Sequence, residues 1–476
     1  MRQATGVYYI SNPALGLWAD ETRFGDDKMY KDSKHEIGTA TLYLCNIDGK
    51  KSLVAHGKGA ECEQLEGSEA TVDGAAVKVC PLNHHNATII RELFPYTRPV
   101  SHAGRDITIG LGDRLGLASA GHIRAARGTG IFPVLAQQSM RELNLTERTY
   151  YDVLDAATWA VFQEHYTDGY GADGDHLKTA EEVKYALDCG YTMITLDCSE
   201  HINGNAVLTD DLRHAYLGQR FNAGGVDISY TEDELERVVA VYYGAVRHTI
   251  DIYHNLIRGH DIDFEMSVDE TTFTTTPSAH FFVANELNRS GVFVRSLAPR
   301  FCGEFQKGID YIGDVNEFQR EFGVHAKIAE HFGYKLSVHS GSDKFKIFPI
   351  VGKLSAYHLK TAGTSWLEAI RVLAEKDPVL FRKILSCALD SLPDAKRYYH
   401  TTENTANIPQ NIPDDELPLL LDQSDARQVL HITYGNTLGR YKGEIYADLN
   451  TFEDTYYAGL QCHIGKHLRS LGIQKS

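Results

Sequence analysis

Three short segments combine acids and histidines in a way that can move protons or hold a divalent cation. DIDFEMSVDE, starting at Asp261, sets Asp263, Glu265 and Ser267 on one face of an extended strand, opposite Ile262, Phe264 and Met266. A mid-strand carboxylate is costly to bury unpaired, so Glu265 is expected to face a metal or lysine, or to carry a raised pKa suited to proton transfer. Asp263 sits deeper, as support. In YKLSVHSGSD, starting at Tyr334, alternation sets Ser337 and His339 opposite Leu336 and Val338. An inward His339 suits a metal ligand or proton carrier; the alternative is a core histidine bonded to a carbonyl. GYGADGDHLK presents Asp175 and His176 side by side. Neighbours point opposite ways in a regular strand, so both reach one site only through a bulge or a strand end. Otherwise Asp175 caps a turn and His176 is exposed.

LAPRFCGEFQKGIDYIGD adds Arg300, Glu304, Gln306 and Lys307. Either Glu304 or Gln306 could join His176 and His339 around a cation. Two imidazoles, one oxygen and an open position suit Zn²⁺ or a related ion such as Mn²⁺, Co²⁺ or Ni²⁺. Arg114, Lys178, Arg300, Lys344 and Lys360 bring positive charge to the same region, which suits an anionic small substrate, although any one of them can instead pair with a nearby acid. Asp113, Arg114, Gln138, Asp197, Arg300 and Lys344 are the residues expected to meet that substrate. GLGDRLG resembles a phosphate-gripping turn only loosely, and neither a Walker lysine nor GxGxxG is present, so no NAD is expected. His84 and His85 read as solvent-facing helix-cap residues. No GxSxG or Cys/His nucleophile pair stands out.

These residues lie at the ends of eight apolar segments: ITIGLGDRLG from Ile107, GIFPVLAQQS from Gly130, GYGADGDHLK from Gly169, YTMITLDCSEH from Tyr191, DIDFEMSVDE from Asp261, VFVRSLAPR from Val292, YKLSVHSGSD from Tyr334 and AYHLKTAGTS from Ala356. Helix-like stretches separate most of them. The spacing predicts an α/β fold: a closed (β/α)₈ barrel over 105–380, with a β-rich cap at 1–104 and an extension packing on the barrel at 381–476. In the cap, TATLYLCNID, KSLVAHG and AAVKVCPLN read as short strands. Thr146, Thr179 and Thr231 are the expected caps of three helices, and Gly190 a helix stop. His201 to Tyr230 is an insertion after the fourth strand, either a lid or partner contact or a surface excursion. The region after Asp377 is polar and Pro-bearing, with HITYGNTLG expected to return to the barrel rim.

The formal net charge of −17 over 476 residues argues against nucleic-acid or acidic-membrane partners. No stretch approaches the ~20 apolar residues of a membrane span. MRQATGVYYISNPALG lacks the basic-then-apolar pattern of a leader, so a cytoplasmic address is expected. The eight cysteines form no CxxC pair and read as reduced, buried thiols. A homo-oligomer is compatible with all of this and required by none of it.

Taken in order, GLGDRLGLAS, FPVLAQQS, YGADGDHLKT, DFEMSVDE, APRF…KGIDYIGD and SVHSGSDKF resemble the tagaturonate/fructuronate epimerase family of hexuronate breakdown, over roughly Arg105 to Ser365. The resemblance implies a cytoplasmic, divalent-metal-dependent enzyme that interconverts two keto-hexuronates differing at one hydroxyl-bearing carbon. By position it makes Asp175 the proton acceptor, Glu265 the proton donor, His176 and His339 metal ligands, and puts the third ligand in GEFQKG. The inverted carbon is β to the ketone, so simple enolisation does not acidify its hydrogen. Retro-aldol cleavage, rotation of the aldehyde and re-addition is one route; a two-base route is the other. A class II aldolase-type lyase acting on keto sugar acids, and a barrel that binds sugar acids without turnover, are the alternative readings.

Overall fold

The computed structural model describes residues 23–475 apart from 25–26, 58, 73–74, 103, 203 and 410, so the leader reading of the first sixteen residues lies outside the described residues. All eight expected segments form strands: Ile107–Gly110, Phe132–Ser139, Gly171–Leu177, Met193–Asp197, Asp263–Ser267, Ser296–Ala298, Lys335–Val338 and Tyr357–Lys360. They pair in parallel in sequence order and close where the eighth meets the first, with Tyr357 opposite Ile107 and Lys360 opposite Gly110. Alternation divides each strand between two environments. Ile194, Leu196, Phe264, Met266, Leu336, Val338 and Leu359 belong to the apolar layer beneath the helices. Each such side chain contributes about 1.5–3 kcal/mol when removed from water. The opposite face is polar: Thr108, Gln137, Asp173, Thr195, Glu265, Ser296, Ser337 and His358 are fully buried along the axis. Branched apolar layers are the common filling of such barrels. Here the axis is a polar column, hydrogen-bonded from Thr108 to His358 and from Thr195 and Ser296 to Asp173 and Glu265.

The third strand carries the irregularity that Asp175 and His176 require. Its register with the fourth strand shifts between Gly174 and Leu177, and His176 has φ 55°, the left-handed region. The bulge turns two adjacent side chains toward one mouth.

Helix caps follow the expected threonines in two cases out of three. Thr179 and Thr231 cap their helices, and Thr179 forms a capping box with Glu182. Thr146 does not: it ends the short helix Met140–Thr146, Glu147 breaks that helix at φ 55°, and Thr149 caps Tyr150–Gln163 in a box with Asp152. The insertion folds as helix Asp210–Tyr216 and a hairpin of Phe221–Ala223 with Val226–Ile228. It packs outside the barrel on helix Pro277–Arg289, where the Tyr216 hydroxyl donates to Glu286 at 2.7 Å and the Tyr230 hydroxyl to the Ser278 carbonyl at 2.7 Å. It is a surface excursion rather than a lid.

The cap is an antiparallel sheet centred on Ala40–Ile47 and Lys50–Gly57. Its core of Leu42, Leu44, Leu53 and Ile90 reaches Trp159 and Phe162 on helix Tyr150–Gln163. His84 and His85 begin helix His84–Leu93, where Asn83 is the cap; His84 lies 2.8 Å from Asp155. The extension is more helical than its sequence suggested, with Pro378–Ala395, Ser424–Ile432, Tyr434–Thr451 and Glu453–Ser470. Glu453–Ser470 lies so close to Ser119–Ala126 that a methyl group on Gly121 would come within 2.7 Å of Leu460. The described cysteines are unbridged, and all but Cys462 are buried. Among the described residues no helix is long and apolar enough to cross a membrane.

Candidate active site

The carboxyl ends of the strands surround a cavity of about 480 Å³. Asp175, His176, His339, Lys360 and Gln137 line it from the barrel, and Tyr399 and His400 from the extension. Three groups converge on one wall. His176, His339 and Asp269 each offer a ligand atom within 4.8 Å of the others. The two rings lie 4.8 Å apart, and His339 Nδ1 is 3.1 Å from Asp269 Oδ1. Two imidazoles and a carboxylate facing a cavity form a donor set that fits a divalent cation, the rings giving up their extra protons to bind it.

Below this trio lies a charged cluster. Lys360 donates to Asp173 Oδ2 at 2.9 Å and to Asp175 Oδ1 at 2.6 Å, and also to Thr195; Glu265 Oε1 is 3.1 Å away. His339 Nε2 is 2.7 Å from Glu265, and His176 Nδ1 is 2.8 Å from Asp175. Burial disfavours each charge, but the opposite charges outweigh it for most of the cluster. Lys360 is held above the usual lysine range by Asp173, Asp175 and Glu265. Asp175 is held well below the carboxylate range by His176 and Lys360, and Glu265 by Lys360 and His339. Asp173 goes the other way, up to about 6: burial and the neighbouring carboxylates outweigh Lys360.

A family model described as tagaturonate epimerase matches residues 30–471, which spans cap, barrel and extension. The chain belongs to the tagaturonate epimerase family. It is 38% identical over 464 residues to the tagaturonate/fructuronate epimerase of Thermotoga maritima, covering 93% of this chain and 96% of that protein. A glycerol-complexed crystal structure of the fructuronate-tagaturonate epimerase of Cohnella laeviribosi superposes with a TM-score of 0.91 at 46% identity, covering 94% of this chain and 97% of that one. The native crystal structure of the same enzyme gives the same values. Family membership thus extends well past the Arg105–Ser365 region in which the motifs lie.

The structure brings Asp175, His176, Glu265 and His339 together as expected, and it redistributes the rest. Asp269, two residues past the fifth strand, is the acid beside both imidazoles. Glu304 lies on the cavity wall outside that trio, 3.7 Å from Arg300. Gln306 also lines the cavity, but its Oε1 accepts from Thr402 and Gln428, each at 2.9 Å. Asp113 is not on the wall: it caps the turn after the first strand, accepting from the amides of Leu115, Gly116 and Ala118. Arg114 is buried, paired with Glu142 at 2.9 Å and stacked on Tyr434. Asp197 accepts from the Ser199 amide, and Lys344 donates to the carbonyls of Gln306, Ile309 and Ser342. These groups hold loops in place and do not reach the cavity. In the second strand, alternation presents Gln137 to the cavity and turns Gln138 away. The Gln137 amide is buried, and among the described residues neither of its polar atoms has a partner. Of the six expected substrate contacts, only Arg300 lines the cavity.

Proposed function

We propose that this chain interconverts tagaturonate and fructuronate by metal-assisted retro-aldol and aldol chemistry at the carboxyl end of the barrel. The observation that carries this reading is the cation-ready trio set directly above two ionised carboxylates that share one lysine. His176, His339 and Asp269 would hold the ion. When bound, it would supply positive charge to stabilise the negative charge that develops on the substrate oxygens. Everything else falls to the protein's own side chains.

Asp175, ionised and at the cavity surface, takes the proton of the hydroxyl on the carbon to be inverted. Lys360 touches both Asp175 and Glu265, so it neutralises the pair while one of them carries an extra proton. Glu265 accepts from Thr195 and Ser296 and is ion-paired with Lys360 at 3.1 Å. The proton taken up by Asp175 reaches Glu265 through the Lys360 ammonium between them, which gives one proton to Glu265 as it receives one from Asp175; Glu265 then returns it to the new alkoxide from the deeper side after the aldehyde has rotated. The buried column excludes bulk water, which would otherwise quench the carbanion before re-addition. The unpartnered Gln137 amide faces the same space and suits a substrate hydroxyl.

The decisive experiment incubates the purified protein with tagaturonate and Mn²⁺, Zn²⁺, Co²⁺ or Ni²⁺ and follows the products by NMR. Fructuronate should accumulate with no three-carbon fragments. Absence of conversion with all four ions would sink the proposal, and net release of fragments would replace it with a lyase.

A further inference from the structure

Among the described residues, the cavity wall contains two cations with no carboxylate in ion-pair range, although Glu142 and Glu270 act on them from farther away. Arg141 follows the second strand on the short helix Met140–Thr146, and Lys307 lies in the loop after the sixth strand; both line the cavity. Among the described residues Arg141 Nε is buried without a partner, and the guanidinium stacks 4.8 Å from the centre of the Tyr399 ring. Lys307 makes no hydrogen bond among the described residues, and burial pushes its pKa down, with Glu142 opposing and Arg141 and Arg114 reinforcing the shift.

The contrast with their neighbours is informative. Arg114 is neutralised by Glu142, Lys344 is saturated by three carbonyls, Lys360 sits among three acids, and Arg300 has Glu304 at 3.7 Å. An unpaired, partly desolvated cation is costly, and it persists where an incoming anion completes it. Arg offers a planar fork matched to a carboxylate, and a lysine beside it adds a point charge. Tyr399 fixes the plane of that fork by stacking.

We propose that Arg141 and Lys307 form the carboxylate clamp of this site and are the residues that make it select a keto-hexuronate over a neutral ketohexose. The inference rests on the proposed epimerase function and specifies its substrate contacts. It goes further in assigning selectivity to the second-strand and sixth-strand loops, away from the groups that carry out the chemistry.

The test compares Arg141→Met and Lys307→Met with the parent enzyme on tagaturonate and on tagatose. Each variant should lose about a hundredfold in kcat/KM on the acid, carried mainly by KM, and less than about threefold on the neutral sugar. Calorimetry with D-gluconate and sorbitol gives a second readout that needs no turnover. The metal-loaded parent should bind gluconate more tightly than sorbitol, and both variants should lose that difference. Arg141→Gln and Lys307→Gln serve if a methionine variant does not fold. Equal losses on both sugars, unchanged kinetics on the acid, or undiminished preference for gluconate would each overturn the clamp. Failure of the parent to convert tagaturonate would instead overturn the epimerase reading itself.

Discussion

Replacing Lys360 with methionine removes the one cation that three buried carboxylates share. Its contacts lie at 2.9 Å to Asp173, 2.6 Å to Asp175 and 3.1 Å to Glu265. At an effective dielectric near 20, a contact at about 3 Å is worth roughly 5 kcal/mol of Coulomb attraction before desolvation of the ammonium is subtracted. Removing one partner of a buried pair nets about 3–5 kcal/mol of destabilisation, because the stranded charge remains. Lys360→Met is therefore expected to lower unfolding free energy by about that amount in urea titrations of metal-loaded protein, and to abolish turnover. Asp173 is already the carboxylate nearest to protonation, at about 6, so Lys360→Met with Asp173→Asn should recover part of the stability and none of the activity. A loss below ~1 kcal/mol for the single variant would refute the claim that this ammonium holds the cluster together. So would a double variant no more stable than the single one.

His176→Ala, His339→Ala and Asp269→Ala should each lower the bound metal per chain measured by plasma mass spectrometry, whereas Gln306→Ala should retain it; the reverse result would move the oxygen ligand to Gln306. Asp175→Asn should fold normally and lose on the order of 10²–10⁴ in kcat, the range typical for a general base, and near-normal turnover would remove Asp175 from the chemistry. Stability should also fall with acid. Burial holds His122 and His325 near 4, against Asp113 in the first case, and His280 well below its usual value. Because the unfolded chain takes up these protons first, stability is full above about pH 6.5 and drops by roughly 1.4 kcal/mol per pH unit per imidazole as pH falls toward 4. Urea midpoints flat from pH 7 to 4.5 would contradict the burial of these three groups as neutral rings.

The barrel was legible because each strand joins an apolar alternation to a polar end, and both signals are local. His339 and Glu265 followed from the same alternation. Asp269 did not, although it stands in DIDFEMSVDE: it lies two residues beyond Ser267, where the strand has ended and period two no longer gives a direction. Asp173 was hidden inside a Gly- and Asp-rich run that reads as a turn, yet it is a strand residue facing Lys360. Arg114 and Lys344 look like substrate cations by position. Their partners, the His431 carbonyl for Arg114 and the loop carbonyls for Lys344, come from chain far away in sequence or from irregular backbone. Gln306 is engaged by Gln428, 122 residues on. No periodicity connects such pairs, so the extension's contribution to the mouth, Tyr399 and His400 included, became visible only in three dimensions.

Backbone strain points to the same place as the charges. Six described non-glycine residues have positive φ, and three of them, His176, Ser340 and Asp343, lie where the third and seventh strands leave the barrel. Such conformations cost about 1–3 kcal/mol each and persist only where surrounding contacts enforce them. Asp343 is enforced by Arg427 at 2.7 Å and His463 at 2.6 Å, both from the extension. His176 is enforced by Asp175, its own neighbour, and by the bulge that puts both on one side. The extension therefore does more than cover the barrel. It holds the seventh-strand loop, and with it His339, in a geometry that an isolated barrel would relax. On this account His463→Ala should leave His176 in place and loosen His339. Metal affinity should then weaken while Asp175 and Glu265 remain paired through Lys360, and unchanged affinity in that variant would show that the loop stands without its brace.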